Sequence, residues 1–389
     1  MPLFNIALIG YGGFGKFLHH HWSQLENARV VAVADEDAQK MQGLSPEIRT
    51  YTDWRRLLED KDIDLVAIVT VPNSHEMIAS ACMEAGKHVL IEKPLATTLS
   101  EAQKIVRTRD RTHAVAGIDF MMRFNPLIRE LQQFTRLEMF GKLRRVDVEN
   151  YAQDEQLPPE HWFWDRNISG GILVEHGVHF IDLVHFLSPA KILEVNGLKH
   201  ERNTRQEDQV MANVLYEGGL IATHYHAFSR PGFFEATKIK LAYDLADIEV
   251  HGWMPLWADV KALVNAETKQ SLLSSPLFKM TDSIPVEQAF DESRPKGWGI
   301  SGGNGENTRH SVRSGGISYE VDELITGKLD IGRSKQEVYG SCVQASLLDV
   351  LKKIQDPGHE LTAPLEAGLE SLEIALRASA SEGKRSMKF

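Results

Sequence analysis

"FNIALIGYGGFG", residues 4 to 15, runs an apolar stretch straight into glycines spaced G-x-G-x-x-G. Hydrophobicity that is continuous rather than alternating suits a strand buried on both faces of a parallel sheet, and Gly10 stops it where a turn is needed. A helix is expected from Lys16 to Leu25. In that setting Gly10 permits the tight turn, Gly12 lets the backbone approach a pyrophosphate, and Gly15 lets helix and strand pack closely. The pyrophosphate would rest on the unsatisfied N–H groups of the helix N-terminus, with Tyr11, Gly13 and Phe14 completing the lining. The next apolar run, "ARVVAVAD" (28 to 35), ends on Asp35. That is about 20 residues beyond the glycines, where an acid accepts hydrogen bonds from an adenosine ribose. Glu36 and Asp37 follow, and no arginine stands near to neutralise a 2′-phosphate, so NAD(H) is favoured over NADP(H).

The rhythm continues through "DLVAIVT" (64 to 70), a helix over 75–85, "HVLIE" (88 to 92), a helix over 100–111 and "HAVAGI" (113 to 118). Such alternation predicts an α/β Rossmann unit, a doubly wound parallel sheet, at residues 1–122. Beyond it, helices are expected over 126–137 and 171–187, then strands near 191–199, 208–216, 219–227, 235–242 and 246–250. Successive strands without intervening helices imply an α+β domain with a mainly antiparallel open sheet, assigned to residues 123–389. Its C-terminal helices are free to pack back on the first unit. Leu365, Leu369, Leu372 and Leu376 recur at helical spacing after Thr362, a candidate N-cap, with Gly383 a candidate stop. The Gly-, Ser- and Asn-rich stretch at 297–316 reads as a long mobile loop.

With 389 residues, 42% hydrophobic and 25% charged, the chain is sized for two domains of a soluble protein. A net charge of −11 without a clustered basic footprint argues against nucleic acid or an anionic membrane as partner. Cys82 and Cys342 are the only cysteines, too few for a disulfide framework and too far apart for a C-x-x-C zinc pair. The N-terminal segment lacks the pattern of a signal peptide, and no apolar run reaches the ~18 residues of a membrane span. A cytoplasmic location is expected.

Two further stretches, "VPNSHEMIASACMEAGKHVLIEKPLATT" (71 to 98) and "SGGILVEHGVHFIDL" (169 to 183), with "MMRFNP" (121 to 126), sharpen this reading. Together they make the chain resemble the glucose-fructose oxidoreductase and inositol dehydrogenase family, Gfo/Idh/MocA. The most specific element is Glu92-Lys93-Pro94 followed by a G-G-x-x-x-acid-x-G-x-H-x-x-D block. The resemblance implies an NAD(P)-dependent dehydrogenase or reductase of a sugar, polyol or related hydroxylated small molecule, and a homodimer or homotetramer formed through the open sheet. It also implies roles. Lys93 matches the active-site lysine, His179 the acid/base histidine, and Glu175 a carboxylate position usually held by aspartate. Thr70, Asn73, His75 and Glu92 fall where the family lines its cofactor cleft.

Oxidising an alcohol needs a group that takes the hydroxyl proton, and histidine titrates in the right range. At about 100° per residue, Glu175, His179, Asp182 and Phe186 share one face of a helix while His176 points away, which favours His179. Lys93, at the carboxyl end of a parallel strand, lies where ligands bind such sheets and suits stabilisation of a developing alkoxide. Taken alone, His179 reads as a core histidine and Lys93 as a solvated loop residue; the two motifs in order shift both toward function. Asp182 is expected to support the helix or a loop. Trp162 and Trp164 are candidates for a sugar platform or for packing at the domain junction. Arg123 is a candidate for a substrate contact or for a pair with a structural carboxylate. No metal is expected, since zinc needs three or four converging ligands and His19, His20 and His21 point in three directions. Two other functions share these residues. One is an NAD-dependent glycosidase or lyase that oxidises its sugar transiently; the other is a non-catalytic dinucleotide or sugar sensor, which has no use for the Lys93/His179 pair.

Overall fold

The computed structural model describes residues 3–289 and 311–381. Strands that are apolar throughout need both sheet faces covered, and the first third of the chain achieves this with helices. β1 (Phe4–Ile9), β2 (Ala28–Ala34), β3 (Arg49–Tyr51), β4 (Leu65–Ile68), β5 (His88–Ile91) and β6 (Ala116–Ile118) form a parallel sheet in the order β3-β2-β1-β4-β5-β6. The main crossover helices are α1 (Gly13–Trp22), α2 (His75–Glu84) and α3 (Leu99–Thr112). Ile6, Ala7 and Leu8 of β1 are fully buried, as the centre of a doubly wound sheet requires. α1 begins at Gly13 rather than at the expected Lys16, so the last two loop glycines belong to its first turn. A capping box starts α3: the Thr98 hydroxyl accepts from the Glu101 N–H while the Glu101 carboxylate accepts from the Thr98 N–H.

The second part begins with α4 (Pro126–Arg136), capped by Asn125, and β7 (Leu143–Gln153). The short α5 (Arg166–Ser169) precedes a π-helical turn over Leu173–Gly177, which runs into α6 (Val178–Leu187). The strands β8 (Ile192–Glu201), β9 (Glu207–Tyr216), β10 (Ile221–Arg230), β11 (Ala236–Tyr243), β12 (Ala246–His251) and β13 (Trp257–Val264) follow. Then come α7 (Ala266–Ser274), β14 (Phe278–Pro285), α8 (Val286–Ala289), the hairpin β15 (Ser311–Ser314) and β16 (Ile317–Glu320), and β17 (Glu323–Asp330). Two helices close the described chain, α9 (Lys335–Gln355) and α10 (Leu365–Ala380).

Nine strands form the second sheet, in the order β14-β17-β13-β12-β11-β7-β10-β9-β8. Its pairs are antiparallel except β7 with β10. The five expected strands are present within three residues at each end. β7, β13, β14, β17 and the long helix α9 are additions to the sequence reading. β7 buries Val146 and Val148 between charged Arg145, Asp147 and Glu149, and β13 buries Ala258, Val260 and Ala262. Both carry the period-two pattern of a sheet covered on one side.

The C-terminal helices do pack on the parallel unit. Trp22 Nε1 donates to Val343 O at 3.0 Å and Gln344 Nε2 to His21 O at 2.8 Å, tying α9 to α1. α10 lies against α3 and α6, and a bridge joins Gly117 to Pro364. Pro364, not Thr362, is the N-cap of α10; Thr362 instead donates to the Asp349 carboxylate. Gly383 lies outside the described residues. Of the stretch expected to be a mobile loop, 297–310 also lies outside them, but the rest is ordered into β15 and its turn. Asp244 holds that hairpin, accepting from Ser314 Oγ at 2.9 Å, Tyr319 Oη at 2.8 Å and Arg144 Nε at 2.9 Å. No helix among the described residues is long and apolar enough to cross a membrane.

Candidate active site

Gly10 adopts φ +95°, and a Cβ there would sit 2.3 Å from Val69 O; one on Gly15 would sit 2.3 Å from Gly10 O. Those two glycines are therefore demanded by the chain's own packing. Gly12 and Gly13 differ, because a Cβ on either meets open space. Their backbone borders a groove of about 600 Å³ lined by the glycines, Phe14, Asp35, Thr70 and, on the far side, Trp162. Asp35 Oδ2 accepts from Tyr11 N at 2.8 Å and Oδ1 from Asp37 N at 3.0 Å, while Lys40 Nζ stands 3.1 Å from Oδ1. Burial works to raise this carboxyl, but those donors together hold it below its usual value. Open glycine backbone, a helix N-terminus and an anchored carboxylate make a groove that fits a dinucleotide.

Two details correct the sequence reading here. Tyr11 is not among the residues that border the groove: its N–H is spent on Asp35, and its ring is buried with its hydroxyl 2.6 Å from His19 Nδ1. Cations do line the groove: Lys40 stands 3.1 Å from Asp35, and Arg55, paired with Asp53, is carried in by the turn after β3. A search of the residues just after Asp35 misses Arg55 because only the fold brings it close.

Parallel strands end at one edge, and the residues just past β4, β5 and β6 are Val69, Glu92 and Asp119. They line a second cavity of about 250 Å³ together with Lys93, Glu175, His179 and Tyr339. Phe14, Val69, Thr70 and Trp162 border both spaces, so the cavity opens on the glycine groove. The Lys93-Pro94 peptide is cis. Lys93 Nζ donates to Glu175 Oε1 at 2.8 Å and to Glu175 O at 2.9 Å. Burial works to raise the Glu175 carboxyl, but Lys93, with His176 and His161, holds it below its usual value. His179 is pushed well below its usual value, by burial first and then by Lys93, His176 and His226, so the ring is neutral. Its Nδ1 is enclosed without a partner.

The expected helix face divides. The π-helical turn ends just before His179 and keeps Glu175 beside it on the cavity, whereas Asp182 is only 2% exposed and faces Arg123. Arg123 Nη2 and Nε donate to Asp182 Oδ1 at 2.6 Å and Oδ2 at 2.9 Å, and Nη1 donates to Thr362 O at 2.8 Å. Arg123 thus stands in a buried ion pair and does not line the cavity. Trp164 is also withdrawn: it is buried against Phe163 and Phe228, with Nε1 donating to Leu157 O at 3.0 Å. Trp162 alone of the two reaches the cavity. His75 is fully buried, its ring spanning Pro94 O at 2.8 Å and Thr70 O at 3.0 Å, so it braces the loops instead of lining the cleft. Asn73 is exposed and borders neither space. His176 lies behind the site, 5.5 Å from the ring of His226, and burial pushes it down to about 4.

Asp119 and Tyr339 are additions to the sequence reading. Asp119 carries a signal, an acid at the carboxyl end of a buried strand. Tyr339 carries none, since it arrives on α9. Among the described residues no three His, Cys, Asp or Glu side chains converge as metal ligands would.

Residues 4–120 match the GFO/IDH/MocA model, an oxidoreductase family with an NAD-binding Rossmann fold, and residues 128–252 match the GFO/IDH/MocA C-terminal domain. The chain is 23% identical over 194 residues to a myo-inositol 2-dehydrogenase of Thermotoga maritima, covering 49% of this chain and 57% of that protein. The match therefore spans little more than half of that relative. It is 29% identical over 256 residues to inositol 2-dehydrogenase 2 of Saccharopolyspora erythraea, covering 64% of this chain and 73% of the other. A levoglucosan dehydrogenase solved with NADH and L-sorbose shares the fold, with TM-score 0.72 and 18% identity over 98% of this chain and 97% of that one.

Proposed function

We propose, from the premise that this chain belongs to the Gfo/Idh/MocA oxidoreductase family, that it is an NAD(H)-dependent oxidoreductase of a sugar, polyol or related hydroxylated small molecule. The observation that carries this reading is convergence: Lys93 from the parallel unit and His179 from α6 share one small cavity that opens on the glycine groove. When bound, the nicotinamide supplies the hydride chemistry. The chain's own residues supply the rest. A neutral His179 is ready to take the hydroxyl proton, through Nε2, the ring nitrogen that is not enclosed. An ammonium carries three donors, and Glu175 occupies two of those on Lys93, leaving one for the reacting oxygen. Glu175 thereby acts as a positioning residue. Phe14, Trp162 and Tyr339 give the cavity apolar walls that limit water.

Asp35, anchored by two backbone donors, supports NAD(H) over NADP(H), because a 2′-phosphate would meet its charge even with Lys40 and Arg55 on the groove. The uncovered face of the nine-stranded sheet, with its alternating exposed positions on β7 and β11, supports a homodimer or homotetramer. Two buried free cysteines are compatible with a cytoplasmic setting.

The test is NADH formation at neutral to alkaline pH with a panel of cyclitols, aldoses and anhydrosugars. Wild type is expected to turn over at least one, and Lys93→Met and His179→Asn to lose about 10²-fold or more in kcat with NADH affinity unchanged. No turnover across the panel, or full rates in both variants, would overturn the reading.

A further inference from the structure

The mechanism leaves two carboxyl groups of the cavity unused. Glu92 and Asp119 follow directly on the adjacent strands β5 and β6, and Asp119 N donates to Ile91 O at 2.8 Å, setting the two residues side by side at the sheet edge. Asp119 is only 2% exposed, and its carboxyl meets the Glu92 carboxyl and the Ser346 hydroxyl but, among the described residues, pairs with no cation. Both side chains line the cavity that opens on the glycine groove. Two buried acids side by side without a cation between them are costly, so the arrangement asks for a ligand that they complete.

The groups facing this pair are few. Lys93 acts on Glu92 but has its ammonium committed to Glu175. His179 is neutral. From α9 come Tyr339, Cys342 and Ser346; burial raises the first two, which are thereby neutral as well. Burial pushes both carboxyls up, Glu92 well above its usual value with the Asp119 charge adding to it, so the pair shares protons rather than holding two full charges.

Resting on the dinucleotide reading above, we propose that the Glu92/Asp119 pair is a charge-selective wall at the nicotinamide end of the cleft. It favours the oxidised cofactor, whose ring is positively charged, over the reduced one, whose ring is neutral. The pair is negative while it lacks at least one of its two protons. As pH falls it takes up protons from solvent, its charge is lost, and affinity for NAD⁺ declines while affinity for NADH holds. Asp119 is then a specificity-determining residue for the cofactor's redox state, and through it the pair biases the direction of hydride transfer.

Quenching of tryptophan fluorescence, with Trp162 beside the site, gives Kd for NAD⁺ and NADH in wild type and in variants of the pair. Asp119→Asn leaves Glu92 free to carry the charge, so the double variant Glu92→Gln/Asp119→Asn, which has none, is the decisive one: it is expected to weaken NAD⁺ binding by about tenfold, the scale of one screened charge pair, while NADH changes less than about twofold. Wild-type NAD⁺ affinity is expected to fall as pH is lowered, and that slope to vanish in the double variant. Should the double variant not fold, the wild-type pH slope for NAD⁺ against that for NADH is read instead. Equal changes for both nucleotides, or none, overturn the selectivity and leave the dinucleotide reading standing. Failure of wild type to bind either nucleotide overturns both.

Discussion

Glu175 meets the Lys93 ammonium twice, through its carboxylate at 2.8 Å and its backbone carbonyl at 2.9 Å. A side chain one methylene longer than aspartate can return to its own backbone in this way, clamping the lysine from one residue. Glu175→Gln keeps the shape and removes the counter-charge, so kcat is expected to fall about 10²-fold, the scale of a mispositioned reactive group. Glu175→Asp, which restores charge without reach, should recover part of it. Steady-state kinetics with kcat and KM separated check this; a Gln variant at wild-type kcat would show that the clamp is idle. His179 carries a second prediction. Its folded value lies well below 6.5, so it stays neutral and able to accept a proton as pH falls through that point. The acid limb of kcat/KM for alcohol oxidation should therefore inflect below pH 6.5, and an inflection above it would contradict the neutral ring. Arg123 behaves differently from both. Arg123→Met strands Asp182 in the core, and a loss of about 3–5 kcal/mol in urea denaturation is expected, with nucleotide binding retained by the folded fraction.

At the level of elements, the glycine turn separates two jobs that look alike in sequence. Gly15→Ala pushes a Cβ to 2.3 Å from Gly10 O, so α1 must move off β1; a lower Tm is expected even without ligand. Gly12→Ala meets open space, so its Tm should stay close to wild type while nucleotide affinity falls, because the added methyl faces the groove. Thermal melts and NADH titrations on both variants check the contrast, and the same response in both would remove the distinction. The parallel unit is legible because most of its strands are short, mainly apolar runs, the first of them stopped by glycine; β3, Arg49-Thr50-Tyr51, lacks that signal and is absent from the sequence reading. β7 and β13 are harder to see because their apolar positions alternate with charges, and a strand whose outer face is charged resembles a loop. α9 carries a readable start, the Ser334/Glu337 capping box, but its buried stripe is broken by polar Ser346 and Gly340. In the site, Lys93, Glu175 and His179 are legible from two motifs. Asp182 is legible as a support, but which carboxylate takes Arg123 is not, because that partner stands 59 residues away, and the burial of Trp164 and His75 follows from packing that spacing does not show. Nor does a straight-helix projection foresee the π-helical turn, which separates Glu175 from the Asp182 face.

Across the whole molecule, α6 and the sheet beneath it enclose an unusual number of imidazoles. His224 and His226 on β10 are fully buried with no partner for either ring nitrogen, and the rings of His226 and His176 lie 5.5 Å apart. Burial lowers His176, His179, His224 and His226, to about 4 for His176 and His224. Each is neutral when folded and takes up a proton when unfolded below about pH 6.5, so its contribution is whole above that pH and is lost as pH falls toward the folded value. For His224 alone the loss is on the order of 3 kcal/mol, a large fraction of a typical net stability. Glu92, Asp119 and Asp182 work the other way, since burial raises them and the folded state holds their protons more tightly at low pH. Their return is smaller: within the Glu92/Asp119 pair one proton relieves both groups, and Arg123 opposes protonation of Asp182. The histidines therefore prevail, and the urea midpoint is expected to fall steadily from about pH 6.5 to about pH 4.5. His224→Phe, which keeps a ring of similar volume, should lessen that decline by up to about 1.4 kcal/mol per pH unit, the linkage of one proton. A midpoint that stays level on acidification, or a His224→Phe variant with the wild-type slope, would mean that these rings find water or counter-charge in the folded protein and that the core beneath α6 is not dry.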